Sequence, residues 1–258
     1  MINISIWGCV AALILLLIPF YAMFKYRLRI MDVVLASIVR MAITMAVVCG
    51  VVYVAMAAGK LWISILLMLA MPLMGAVYAV RRSKLKMQKF IVPMASGMVV
   101  ATMVFAFYEL FLVLDIDNPM SVQFMLPIAG ILAGAMITSN ARALHAYYIG
   151  LLNHHQLYDY LIGNGASHRQ AVNYFVRRAL EANMVPQARY MAYTVVSVSP
   201  ALVWALLMSG VDVWSAAAFC VSMAIAALAA SVVSLIVALV VGRKYCFDDY
   251  MTLKKGIV

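Results

Sequence analysis

Charge is what this sequence has least of. Only 11% of its 258 residues are Asp, Glu, Lys or Arg. A soluble domain carries roughly 25%, so an ordinary water-soluble fold is excluded. Cysteine is almost as sparse: Cys9, Cys49, Cys220 and Cys246 form no C-x-x-C pair. That excludes a disulfide framework and a zinc site of the usual spacing, and leaves the thiols as small buried apolar groups. No basic residue precedes the apolar run MINISIWGCVAALILLLIPFYAMF, and no A-x-A pattern follows it. It is therefore expected to be a retained first helix rather than a signal peptide. A phosphate-cradling G-x-x-x-x-G-K-[S/T] loop is also missing. Gly59-Lys60 is followed by Leu61, and Val54 stands where the upstream glycine would have to be. Without that loop the chain is expected to have no ATPase site and no enzymatic activity of its own. H-E-x-x-H is absent as well, and the adjacent His154 and His155 point to different helix faces, a poor chelate.

What is present is apolar. Hydrophobic residues make up 67% of the chain, and mean hydropathy is +1.04. The apolar runs reach the roughly 17–25 residues that cross a bilayer as a helix, and are too long and unbroken for the strands of a membrane β-barrel. The expected class is all-α: a polytopic integral membrane protein with about seven transmembrane helices in a single domain, residues 1–258. The spans fall at approximately 4–24, 33–57, 62–80, 90–114, 123–139, 190–208 and 214–241.

The net charge of +10 is distributed by topology. Lys25, Arg27 and Arg29 follow the first span, and Arg81, Arg82, Lys84, Lys86 and Lys89 follow the third. Arg142, Arg169, Arg177, Arg178 and Arg189 separate the fifth from the sixth, and Arg243, Lys244, Lys254 and Lys255 follow the seventh. Only Lys60 lies on the other side, with Arg40 inside a span. The positive-inside bias then puts the N-terminus outside and the C-terminus in the cytoplasm. There is no nucleic-acid footprint.

One long polar connection interrupts this pattern, a cytoplasmic insert over residues 140–189. Its first part, ARALHAYYIGLLNHHQLYDYLI, contains no strong breaker and should continue the fifth span as a helix until Gly163-Asn164-Gly165 stops it. Ser167 with Gln170 three residues on is a capping box, so a second helix restarts there. Val172, Phe175, Val176, Ala179 and Leu180 make one apolar face at i, i+3, i+4 spacing, with Arg169, Asn173, Arg177, Arg178 and Glu181 off it. Pro186 is expected to end the helix. Such an amphipathic helix suits two roles: lying flat on anionic membrane lipid, or docking a soluble partner through aromatic and Arg anchors.

The motif G-A-[S/T]-x-x-Q-A, Gly165 to Ala171, and the segment Pro-Ile-Ala-Gly-x-x-Ala-Gly, Pro127 to Gly134, sit in a chain of this length. Together they resemble the FetB-type ABC-transporter permeases, associated with bacterial iron export and plant aluminium tolerance. The likeness is best from about Pro127 to Asp212 and elsewhere one of layout. It implies a permease of the bacterial inner membrane, working as a homodimer with two copies of a separate ABC ATPase that binds ATP and Mg. The chain itself would bind no cofactor. The resemblance makes Gly165, Ala166, Ser167, Arg169, Gln170, Phe175, Arg177 and Arg178 the coupling element that docks on the ATPase, and metal export the leading activity. One departure is the sixth span, where relatives have Leu-Pro-Gly-Met-Met-[S/T]-Gly. This chain has Ser199-Pro200-Ala201-Leu202-Val203-Trp204-Ala205, so substrate specificity is expected to differ.

Few residues within the spans carry chemistry. Gly130 and Gly134 form a G-x-x-x-G pair suited to close helix packing, within one subunit or between two. Tyr193, Ser197, Ser199 and Pro200 would give a kinked, hydroxyl-bearing pathway wall, or only a kink. Arg40 and Glu109 are ionisable groups inside apolar spans and so are candidates for function. At about 1.5 Å per residue, Arg40 lies roughly 10 Å from the inner end of its span and Glu109 roughly 8 Å from the outer end of its own, so they should not pair directly. Glu109 is the one candidate metal ligand. The 21 methionines are scattered and read as flexible filler rather than a soft-metal relay. A membrane enzyme would need convergent acid, nucleophile or metal residues, which the spans do not supply. A structural subunit whose basic helix rests on lipid is the remaining alternative to a transporter.

Overall fold

The computed structural model describes residues 17–25, 31–114, 119–193 and 199–246. They form nine α-helices in chain order: α1 Leu17–Lys25, α2 Met31–Ala58, α3 Leu61–Ser83, α4 Met87–Tyr108, α5 Val122–Asn153, α6 His155–Gly163, α7 His168–Ala192, α8 Ser199–Met208 and α9 Val213–Cys246. A π-helical turn, Glu109–Val113, extends α4. No strand occurs among the described residues. The all-helical class follows from long apolar runs, since inside a bilayer a helix satisfies every backbone group within its own segment.

Among the described residues, five helices are long and apolar enough to cross a membrane: Val34–Ala58, Leu61–Ser83, Met87–Val113, Val122–Asn153 and Val213–Tyr245. These match the second, third, fourth, fifth and seventh expected spans. The first expected span falls mostly outside the described residues. The sixth, expected at 190–208, is described only in part: α7 runs on to Ala192, α8 covers Ser199–Met208, and residues 194–198 lie outside the described residues.

By contacts the chain divides into two compact units, Met1–Gly59 with Met208–Gly210, and Lys60–Leu207 with Val211–Val258. In the first, α2 leaves almost its whole length exposed, apolar on all sides, as expected of a helix surrounded by lipid or other membrane helices. The second holds the core, where α9 packs along α4, α3 along α5, and α7 along the later part of α5. Its packing depends on small residues. A Cβ added to Gly97 on α4 would lie 2.3 Å from the Ser234 carbonyl oxygen and 3.1 Å from the Ala238 nitrogen of α9, so the two backbones touch there. Met68, Met94, Met98, Met125 and Met136 are fully buried and fill the remaining gaps.

One end of this unit collects positive charge. Arg81 and Arg82 close α3, and Lys84 (φ 60°) turns the chain into α4. The His145 Nδ1 atom of α5 lies 3.1 Å from the Ser83 carbonyl oxygen, and Tyr148 of α5 approaches Gly242 of α9, beside Arg243 and Lys244. Lys60 stands at the opposite end, at the start of α3. Arg81, Arg82, Lys84, Arg243 and Lys244 thus share one end of this unit, and Lys60 stands at the other.

Candidate functional site

The polar connection is helical almost throughout. α5 carries the chain well past the apolar stretch to Asn153. The expected uninterrupted helix breaks at His154 (φ −119°, ψ 35°), whose N–H still bonds the Gly150 carbonyl before α6 begins. Gly163 ends α6, and Gly165 at φ 83° makes the left-handed turn a glycine permits.

Ser167 then caps α7. Its hydroxyl accepts from the Gln170 N–H (3.4 Å), and its own N–H donates to Gln170 Oε1 (2.9 Å), a closed capping box. Ala171, Phe175 and Ala179 are buried, with Val172 nearly so, and they lay the helix against α5; Phe175 packs at Gly150. Gly165, Ser167, Gln170, Tyr174, Arg177 and Arg178 are exposed, and Ala166 is half-buried. Arg169 lies in the first turn. Phe175, expected on the docking surface, is inside the protein's own core; its neighbour Tyr174 is the aromatic side chain on the outer face. Arg177 pairs with Glu181 at 3.5 Å, while Arg178 has no ion-pair partner among the described residues.

Pro186 does not end α7, as the sequence pattern led one to expect; the helix passes through it to Ala192. The physical reason lies one turn earlier. Asn183 is fully buried and donates through Nδ2 to Asn140 Oδ1 of α5 (3.0 Å) and to the Ser231 carbonyl of α9 (3.3 Å). The Ser231 hydroxyl is shared between Asn183 Oδ1 (2.9 Å) and the Leu228 carbonyl (2.8 Å). Asn140 Nδ2 donates to Ser234 Oγ (2.7 Å), which donates to the Ser231 carbonyl (3.0 Å). Asn140, Asn183, Ser231 and Ser234 are all inaccessible to solvent. This closed network pins α7 to α5 and α9 and so offsets the local cost of a proline in a helix, about 3 kcal/mol. It was missed in the sequence, although Phe175, Ala179 and Asn183 follow each other at i+4 and so put an amide on the apolar stripe.

Beside the network, α5, α7 and α9 diverge around a groove of about 630 Å³. Gly130 and Gly134 open onto it, and a Cβ on either would meet nothing within 4 Å. The pair therefore serves no close packing among the described residues. Tyr193 also lines the groove. Ser199 and Pro200 belong to α8, and Ser197 lies outside the described residues.

Glu109 opens the π turn of α4. It is 2% exposed and faces Ser222 of α9, whose hydroxyl donates to the Phe219 carbonyl (2.9 Å). Its Oε2 atom has no hydrogen-bond partner among the described residues, and neither has the hydroxyl of Thr102, seven residues earlier on the same face. A π turn in a membrane helix and an unmatched buried carboxylate oxygen both mark places where function is concentrated. Arg40 on α2 is exposed within the chain; its carbonyl accepts from Thr44. No cluster of three or more His, Cys, Asp or Glu side chains able to hold a metal occurs among the described residues.

A family model described as "Uncharacterised protein family (UPF0014)" matches residues 6–247. No curated protein matches, and no solved structure matches.

Proposed function

The chain belongs to the uncharacterised protein family UPF0014, and on that premise we propose that this multi-pass membrane protein is the permease subunit of an ABC transporter, driven by a separate ATPase. Two copies of the chain pair with two ATPase subunits, which hold the ATP and Mg. It lies in the bacterial inner membrane, N-terminus outside. The observation that carries this reading is the construction of α7. Its apolar stripe is consumed by α5, while Ser167, Gln170, Tyr174, Arg177 and Arg178 form a continuous outward face at the basic end. A helix resting on lipid would need that apolar stripe free. A helix that must transmit a push needs it anchored, and the Asn183 network anchors it to two spanning helices.

The resemblance makes export the direction and a metal ion such as iron the leading substrate class. Glu109, buried beside Ser222 with one carboxylate oxygen unmatched among the described residues, is the residue in this unit best suited to meet a cation on its way through. The docking assignment is tested with Arg178→Glu and Tyr174→Asp. Each should lower permease-stimulated ATP hydrolysis at least about tenfold, the loss of a docking hot spot, with membrane insertion and elution profile unchanged. Phe175→Asp should instead damage the folded protein. Normal stimulation in both surface variants would refute the assignment.

A further inference from the structure

The groove between α5, α7 and α9 has a distinct chemistry along its length. On α5 its wall runs from Gly130 through Ile131 and Gly134 to Arg142; on α9 it is formed by Cys220, Met223 and Ala227. Arg189, beside Gln187 and Tyr190, contributes a second guanidinium from α7. No acidic residue lines the groove, and neither Arg142 nor Arg189 has an ion-pair partner among the described residues. Arg142 lies one turn before His145, which meets Ser83 at the end of the unit where Arg81 and Arg82 stand. From Gly130 to Arg142 the helix rises roughly 18 Å. One leaflet of a bilayer core is about half of ~30 Å deep. A volume near 630 Å³ is that of a site for a single small amphiphile. The missing side chains of Gly130 and Gly134 create this depth, since among the described residues nothing lies within 4 Å of a Cβ at either position.

We propose that the groove is a binding site for one anionic phospholipid, with an acyl chain along the Gly130–Gly134 and Cys220–Ala227 walls and the phosphate at Arg142 and Arg189. A basic pocket between spanning helices on the positive side of a membrane protein is where anionic headgroups collect. The occupancy does not depend on any ATPase, so it stands or falls separately from the transporter reading.

The test is native mass spectrometry of the full chain from micelles containing equal phosphatidylglycerol and phosphatidylcholine, with two variants. Arg142→Gln/Arg189→Gln removes the headgroup contacts. Gly134→Leu fills the groove without changing charge, at a position where an added Cβ meets nothing within 4 Å. The wild type should retain phosphatidylglycerol in preference to phosphatidylcholine, and both variants should lose at least about nine-tenths of it, a tenfold change in affinity. Glycerol phosphate, which has the headgroup chemistry without the chain, should not displace the lipid. Equal retention of the two lipids, full retention in either folded variant, or displacement by glycerol phosphate would overturn the proposal. So would a lipid-free dimer that Gly134→Leu splits, because the groove would then be a contact between copies.

Discussion

Replacing Asn183 by Leu, nearly the same size but without the amide, tests whether α7 is locked to the spanning helices. The variant loses donors to Asn140 Oδ1 and the Ser231 carbonyl and the acceptor of the Ser231 hydroxyl. Ser231 keeps its bond to the Leu228 carbonyl, but Asn140 Oδ1 is left buried and unmatched. At about 0.5–1.5 kcal/mol per net hydrogen bond and ~1–3 for the orphaned oxygen, partly overlapping, the loss is about 2–4 kcal/mol. In a protein of this size that lowers the apparent unfolding temperature by roughly 5–15 °C. Asn140→Leu should cost a similar amount. The double variant should cost less than the sum by ~1–3 kcal/mol, because replacing both partners leaves no orphan. Equilibrium unfolding in mixed micelles, followed by circular dichroism, measures all three. Single-variant costs below ~0.5 kcal/mol, or strict additivity, would show that the network does not hold α7.

The two kinds of glycine should separate cleanly. Gly97→Ala places a Cβ 2.3 Å from a backbone oxygen, so α4 and α9 must move apart; a loss of about 2 kcal/mol or more in the same unfolding assay is expected. Gly134→Ala meets nothing within 4 Å and should change stability by less than ~0.5 kcal/mol.

The parts of the fold legible in the sequence were those set by local chemistry. A capping box is read from four consecutive residues, and Ser167 with Gln170 forms it as expected. The apolar stripe of α7 is a helical period, and Val172, Phe175 and Ala179 are buried accordingly. Charge asymmetry between loops is visible directly, and Arg81, Arg82, Arg243 and Lys244 do share one end of the second unit. What failed were inferences that treated a residue type as decisive without its tertiary partners. Pro186 reads as a terminator until Asn183 is seen bonded across to α5 and α9. His154 breaks a helix with neither glycine nor proline to announce it. Phe175 carries the aromatic character of a docking anchor, but its position on the stripe puts it inside, with Tyr174 outside. The G-x-x-x-G of α5 suits close packing by composition, yet it opens a groove, because helix separation is set by the neighbours rather than by the glycines themselves.

The central claim is that α7 is a handle for an ATPase. The most direct measurement is native mass spectrometry of the gently solubilised protein, expressed together with a candidate ABC ATPase from the same genome. The account predicts a complex of two of these chains with two ATPases, lost on Arg178→Glu. A lone chain or a homo-oligomer that retains no ATPase under any detergent condition would contradict it.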